Sequence, residues 1–285
     1  MQKQLLLGDE AIALGALDAG LSGMYAYPGT PSTEIMEFIQ ASDEAIERAI
    51  HREWSSNEKT AMEAALGMSY AGKRAMVAMK HVGLNVAADP FINSSVTGVN
   101  GGLVVVAADD PSMHSSQNEQ DSRFYGKFSF VPVFEPSNQQ EAYDMMFDAF
   151  ELSEKYRLPV LLRITTRLAH SRSSVTLTET SIPQKKLSLP ADPVQFVLLP
   201  AIARKKYKVL LSSWESVKSD TRLERYNKFT DGKKRELGII TCGIAHNYLM
   251  ENLAETNLDY PVLKISAYPF PAELIKEITG RCKEI

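Results

Sequence analysis

Cysteine is scarce in this sequence. Cys242 and Cys282 are the only two in 285 residues, so there is no disulfide framework and no cysteine spacing of the metal-binding type. Charge of one sign is lacking too. Lys and Arg number 31 against 35 Asp and Glu, a net charge of −4, with no basic stripe and no acidic tail. Nucleic acid and anionic membrane surfaces are therefore poor candidates as main partners. No apolar run approaches the roughly 20 residues that span a bilayer. The N-terminal stretch MQKQLLLGDEAIALG has one run of three leucines and early acids, unlike a signal peptide. A reducing cytoplasm is the compartment these absences suggest. No Walker or dinucleotide glycine fingerprint occurs, and there is no internal repeat or low-complexity tract.

The chain is 44% hydrophobic and 23% charged, ordinary for a globular protein long enough to bury a sizeable core. Taken in order, its patterns alternate between helix and strand. A helix is expected over 8–19, a short strand over 24–27, and a sharp Tyr27-Pro28-Gly29-Thr30-Pro31-Ser32 turn, with Thr30 capping a helix that runs to Gln40 and Pro31 at its first position. A strand is expected over 46–52. LVVVAA at 103–108 is the clearest strand, closed by Asp109-Asp110-Pro111; a polar, turn-rich segment, 114–130, follows it. Ser137 with Gln140 reads as a capping box opening a helix to Tyr156, and 159–164 is another buried strand. This alternation predicts an α/β fold with a doubly wound parallel sheet over 1–170. Periodicity fades over 171–200, which reads as a linker. A smaller α/β unit over 201–285 follows: helical spacing over 202–229, then a strand at 237–241, a helix at 245–256, a strand at 262–265 and a helix at 271–279.

The stretch Glu53 to Asp89 organises the rest. Asn57 suits a helix N-cap, and Glu58 falls in the first turn, where a carboxylate complements the helix dipole. Small and apolar residues (Ala61, Met62, Ala64, Ala65, Leu66, Met68) fill the helix, and Gly72 ends it. A buried parallel strand is expected over 74–79, followed by a polar loop, Lys80 to Asn85, and a helix over 85–96 with Pro90 early in it. In open α/β sheets, ligands bind just past the carboxyl ends of strands, where this loop lies.

Each feature also has an ordinary explanation. Acids are common in first helical turns, and proline with glycine punctuates turns everywhere. Lys80-His81 reads equally as a solvated loop end, and His114 as a surface histidine. Cys242 reads as packing, and His246 as a capping or surface residue early in a helix. Gly101-Gly102 is too little for a phosphate loop.

The combination is more specific. YPGTPSTE, then EWSSNEKTAMEAALGMSYAGKRAMVAMKHVGLNVAADP, then VVVAADDPSMHSSQNEQDSR, occur in that order and closely resemble the 2-oxoacid:ferredoxin oxidoreductases. Within that superfamily, MKHVGLN and HSSQNEQDSR are most similar to alpha subunits of the indolepyruvate type. The resemblance is strong over about 5–164. It continues through ITCGIAHNYLMENL and LKISAYPFPAELI, which look like the family's transketolase-C-terminal-like domain.

The resemblance implies an enzyme that uses thiamine diphosphate. In such enzymes a glutamate hydrogen-bonds the ring nitrogen N1′ of the aminopyrimidine, promoting loss of the thiazolium C2 proton, and the ring then serves as electron sink for decarboxylation. Position for position, Glu58 falls on that glutamate, in surroundings expected to be dry enough to raise its pKa. Tyr27, Pro28, Gly83 and Asn85 are the further cofactor contacts it implies. Thr30 falls on the substrate-facing threonine; Lys80 and His81 look like a loop closing over cofactor and substrate. Arg123 is a candidate either for an anion or for a salt bridge inside the fold.

The family's diphosphate-binding domain, with its GDG…N metal motif, and its cysteine-rich ferredoxin-like tail have no counterpart in these residues. Two cysteines cannot hold a cluster that takes four thiolates. The expectation is the pyrimidine-binding half of the cofactor site, inactive by itself, with Mg2+ and [4Fe-4S] clusters on other segments. Expected partners are a second copy of the chain, a smaller beta subunit, ferredoxin, a 2-oxoacid and coenzyme A. The alternatives are an oxidoreductase for another 2-oxoacid such as pyruvate, or a non-catalytic scaffold or subunit-interface module of the same fold; a nucleotide-binding Rossmann protein is disfavoured by the missing glycine fingerprint.

Overall fold

A computed structural model describes residues 2–192, 194–256 and 258–285. The chain opens with β1 (Lys3–Leu7) and α1 (Gly8–Asp18), then β2 (Gly23–Ala26), α2 (Thr33–Ala41), α3 (Asp43–Glu47) and β3 (His51–Trp54). Next come α4 (Glu58–Tyr70), β4 (Ala75–Lys80), α5 (His81–Val86), α6 (Ala88–Thr97) and β5 (Leu103–Asp109). They are followed by α7 (Arg123–Ser129), β6 (Val133–Phe134), α8 (Gln139–Tyr156), β7 (Val160–Thr165), α9 (Thr166–His170) and β8 (Arg172–Thr176). The last third holds α10 (Pro200–Lys218), α11 (Thr221–Glu224), β9 (Lys228–Thr230), β10 (Ile239–Cys242), α12 (Ala245–Thr256), β11 (Val262–Ile265), β12 (Ala267–Tyr268) and α13 (Ala272–Arg281).

Seven strands form the main sheet in the order β12-β6-β7-β5-β4-β2-β3, parallel except for β12. Its continuous apolar strands bury both faces, as a parallel sheet must. Side chains alternate. Val104, Val106 and Ala108 pack with α1, α2 and α8, while Leu103, Val105 and Ala107 pack with α4, α5 and α6. Burying a valine or leucine fully is worth about 1.5–3 kcal/mol, so β5 alone anchors the fold from both sides. A smaller sheet, β10-β11-β9, forms within the last third. The chain passes from β11 into β12, which pairs with β6, and the Asn227 side chain fastens that junction to Ser266 and Ala267. The 201–285 segment thus lends an edge strand to the main sheet. A division of the chain near residue 200 is a proposal.

Several expectations are corrected. Thr30 does not cap a helix: Ser32 holds that position, and the Thr33 hydroxyl accepts from Gly29 N–H, so the turn is longer than the Thr-Pro pair suggested. The segment 46–52 divides into α3 and β3, because Ser42 caps a short helix before the strand begins. The polar loop 80–85 is helical, since α5 starts directly at His81 and breaks before α6. The capping box moves by one residue: Asn138 accepts from Glu141 N–H, and Glu141 accepts from Ser137. The 171–200 stretch contains β8, which pairs with β1; polar RSSVT gave no hydrophobic signal for it. The helix expected to Phe229 ends at Lys218.

Asp220 joins α8 to the turn between α10 and α11. Its carboxylate accepts from Lys155 Nζ at 2.6 Å and Tyr156 Oη at 3.0 Å, and caps α11 through Arg222 N–H. Burial pushes this carboxyl up, but the bonds from Lys155, Arg222 and Tyr156 outweigh it and hold it at about 2. A depressed carboxylate stabilises fully above its unfolded value of 3.8, and that contribution is lost as pH falls through about 2. Asp220→Asn should therefore lower unfolding free energy by about 1–2 kcal/mol at pH 7. In denaturant titrations the gap to wild type should narrow below pH 3.8. A gap that stays constant down to acid pH would contradict the assignment.

Candidate active site

β2 and β4 are neighbours in the sheet, yet the chain leaves them toward opposite faces. α2 follows β2 on the α1/α8 face, and α5 follows β4 on the α4/α6 face. The crevice at their carboxyl ends is a topological switch point, the usual ligand site of such sheets. α4 adds its N-terminus there. Asn57 Oδ1 accepts from Thr60 N–H at 3.0 Å, which places Glu58 as the first helical residue, in the field of the free N–H groups.

Glu58 lies against Gly83 of α5. A Cβ at residue 83 would come within 2.5 Å of Glu58 Oε1 and 2.7 Å of its Cγ, so only glycine leaves the carboxyl its place. Below it, Ala61, Met62 and Ala65 are fully buried, whereas Glu58 is half-buried. The expected dry enclosure is therefore only half built by this chain: one wall is packed and the other is open.

The remaining candidates meet through a chain of contacts. Gly29 in the turn after β2 lies against the stem of Lys80, whose Nζ donates to the Ser115 carbonyl at 3.0 Å. The Ser115 hydroxyl donates to the Thr30 carbonyl at 3.2 Å. Tyr27, Pro28 and Thr30 are exposed at the same edge. His81 is buried, with Nε2 bonded to the Asn118 carbonyl at 3.0 Å; facing a carbonyl, that nitrogen carries the proton, and Nδ1 has no partner among the described residues. Asn85 accepts from the Tyr125 hydroxyl.

Arg123 is not brought into this group. Its guanidinium pairs with Asp121, with Glu135 at 3.2 Å and with Tyr268 Oη at 3.0 Å, and the Asp121 hydrogen bond leads the interactions that hold it protonated. Of its two expected alternatives, the geometry is that of the internal salt bridge. His114 is exposed on the loop after β5, Cys242 ends β10, and His246 lies in α12 with its pKa lowered by burial.

Sequence reasoning missed what shapes that loop. Asp110 accepts from Ser115 N–H, the Ser116 hydroxyl and the Thr166 hydroxyl, each at 2.7 Å. Burial alone would raise this carboxyl, but those bonds outweigh it and hold it far below the ordinary range. The doubled aspartate after an apolar strand was the available signal. A cleft of about 980 Å³ lies beyond the loop, between Arg163, Thr166 and His170 on one side and Thr241, Cys242 and Tyr248 on the other. It includes neither Glu58 nor Thr30, so the switch-point group is an open edge rather than the wall of that cleft.

A doubly wound, mostly parallel sheet with a crevice at its switch point defines the class, an α/β protein built to take a ligand at the carboxyl ends of its strands. The chain matches two solved structures of that architecture. One is 2-oxoglutarate:ferredoxin oxidoreductase from Magnetococcus marinus (TM-score 0.77, 20% identity, 99% of this chain and 57% of that one). The other is a split-gene transketolase (TM-score 0.56, 15% identity, 97% of this chain and 77% of that one).

This chain belongs to the pyruvate flavodoxin/ferredoxin oxidoreductase, thiamine diphosphate-binding family, whose model matches residues 14–211. Among curated proteins it is 46% identical over 290 residues to the indolepyruvate oxidoreductase subunit IorA of Archaeoglobus fulgidus, covering 100% of this chain and 46% of that one. It is 47% identical over 278 residues to the subunit of the same name from Pyrococcus abyssi, covering 95% and 42%. The 2-oxoglutarate synthase subunit KorA of Methanothermobacter marburgensis is more distant, at 26% over 217 residues, covering 69% and 53%. The chain thus spans about half the length of the curated relatives it matches. No helix among the described residues is long and apolar enough to cross a membrane.

The contact between Glu58 and residue 83 makes a prediction whose sign depends on the background. Alanine is favoured over glycine in a helix by about 0.8–1 kcal/mol, while overpacking costs about 1–3 kcal/mol. Gly83→Ala should destabilise the wild type by up to about 2 kcal/mol but stabilise Glu58→Ala by up to about 1 kcal/mol. Equal effects in both backgrounds, measured by denaturant unfolding, would show that the two residues do not press on each other.

Proposed function

We propose that this chain is the pyrimidine-binding part of a thiamine diphosphate-dependent 2-oxoacid:ferredoxin oxidoreductase acting on indolepyruvate or a related aryl 2-oxoacid. The whole enzyme would join the oxoacid and coenzyme A into acyl-CoA, release carbon dioxide, and pass two electrons to ferredoxin. The names of the relatives support the substrate class. The observation that carries the reading is Glu58: a half-open carboxyl at a helix N-terminus, lying at the switch point in space that the absence of a side chain at Gly83 leaves to it.

These residues fit the cofactor's pyrimidine half. Thiamine diphosphate, when bound, supplies an electron sink for the carbon that loses carbon dioxide. Glu58 would hold a proton against the pyrimidine ring nitrogen, with Tyr27, Pro28, Gly83 and Asn85 forming the surfaces around the ring. Thr30 offers a hydroxyl to the oxoacid, and Lys80 a positive charge for its carboxylate once it releases the Ser115 carbonyl. His81, fixed by Asn118, keeps a buried Nδ1 with no partner among the described residues. Mg2+ and the iron-sulfur clusters belong, in this reading, to other segments of the enzyme, as do the contacts to ferredoxin and a smaller subunit. A second copy of the chain, a cytoplasmic location and inactivity of this stretch alone are parts of the same proposal.

Glu58→Gln in the assembled enzyme tests it. Acid–base groups of this kind contribute about 10²–10⁴-fold, so turnover of indolepyruvate should fall at least about 100-fold while the melting temperature stays near that of wild type. Undiminished turnover would remove the mechanism, and faster turnover of pyruvate than of any aryl oxoacid would remove the substrate class.

A further inference from the structure

A second cluster lies where the first turns of α1 and α2 meet the end of α9. Asp9 is the second residue of α1, Glu34 the second of α2, and His170 the last of α9. α1 reaches α9 through Gly8, where a Cβ would come within 2.3 Å of the Leu168 carbonyl oxygen; this contact sets Asp9 beside His170. One ligand-type atom from each of the three residues lies within 4.8 Å of the others, and His170 Nε2 is already 3.4 Å from Glu34 Oε1.

The hydrogen bonding here is incomplete. Asp9 is fully buried, and neither of its carboxylate oxygens has a partner among the described residues; Glu34 Oε2 is buried and unpartnered as well. Buried carboxylates are ordinarily hydrogen-bonded, paired or metal-bound. The helix N-termini that carry Asp9 and Glu34 favour negative charge but supply no donor to these oxygens. Arg172, the nearby cation, pairs with Glu10 instead, at 3.5 Å. Two carboxyl groups therefore face each other with an imidazole beside them, and among the described residues no lysine or arginine pairs with Asp9 or Glu34.

We propose that Asp9, Glu34 and His170 bind a divalent metal ion of the zinc class, clipping α1, α2 and α9 together beneath the Thr30 turn. Two oxygens and one imidazole nitrogen are a borderline donor set, suited to zinc or manganese rather than to a thiolate-seeking or all-oxygen cation. Bonds of about 2.0–2.2 Å place tetrahedral ligands about 3.5 Å apart, the spacing His170 and Glu34 already have. Rotation of the half-exposed Glu34 and His170 side chains closes the remaining distance to Asp9. Their exposed sides give the ion its entry and leave room for water as a further ligand. This site is independent of the thiamine reading, since none of its three residues is assigned to cofactor or oxoacid.

Calorimetric titration of the 285-residue chain with Zn2+ alone, without thiamine diphosphate, tests this. One equivalent should bind and raise the melting temperature. Groups that only hydrogen-bond a metal's ligands are worth about 10–100-fold in affinity, so removing a direct ligand by Asp9→Asn or Glu34→Gln should weaken binding at least that much. His170→Ala, at a half-exposed position where folding is not at risk, should do the same. Absence of stoichiometric binding by the wild type would overturn the site, leaving a proton shared between the two carboxyls as its occupant. Binding undiminished in His170→Ala, or in both carboxyl variants, would overturn it equally.

Discussion

Two adjacent parallel strands that part company at their carboxyl ends set the geometry of everything that follows. β2 turns to one face of the sheet and β4 to the other, so a crevice opens between them, crossed by the loop after β5 through Ser115. α4 crosses to this gap with its N-terminus foremost, and Glu58 meets Gly83 there at a distance no β-carbon would tolerate. The acid is thus positioned by backbone packing rather than by a hydrogen-bonded partner. That arrangement leaves its oxygens without a hydrogen-bond partner among the described residues, and the binding role proposed for this edge rests on it.

Around that gap the polar groups are held by an ionic framework at the ends of β5, β6 and β7. Arg163, buried within β7, bonds Asp109 at 2.7 Å and also Glu135; Arg123 closes the ring through Glu135 and Asp121. Breaking one member of such a buried pair costs about 3–5 kcal/mol, because the other is left charged and alone. The loop after β5 is pinned by Asp110 and its three donors, and from that loop Ser115 and Asn118 reach Lys80 and His81. Rigid acids under the loop therefore keep the catalytic candidates in register with the turn after β2.

Much of this was legible in the residues. LVVVAA and the apolar run before Lys80 announce strands buried on both faces, and Asn57 followed by Glu58 announces a helix start, because hydrophobic runs and caps are local signals. Elements defined by pairing rather than composition were hidden. β1 and β8 form a two-stranded ribbon in which RSSVT is mostly exposed, and β6 and β12 are two residues long. α5 looked like a loop since Lys80, His81 and Asn85 are polar, yet His81 is buried and the turn is helical. Of the candidate site, the order of motifs pointed to Glu58, Thr30 and the Lys80 segment, and the fold links Thr30 with Lys80 through Ser115. Asp121 is a local partner of Arg123, but the other two, Glu135 and Tyr268, lie 12 and 145 residues away in sequence, and only the fold brings them together. The same holds for Asp9, Glu34 and His170, which no local pattern connects.

In the function proposed above, the Glu58 carboxyl receives the edge of a pyrimidine ring. A crystal structure of the complete subunit with thiamine diphosphate bound measures this directly. The account predicts a Glu58 oxygen within hydrogen-bond reach, about 2.6–3.2 Å, of the ring nitrogen N1′, with Gly83 still packed behind it. A bound cofactor whose N1′ faces another residue, or a Glu58 side chain swung away from Gly83 into solvent, would contradict it.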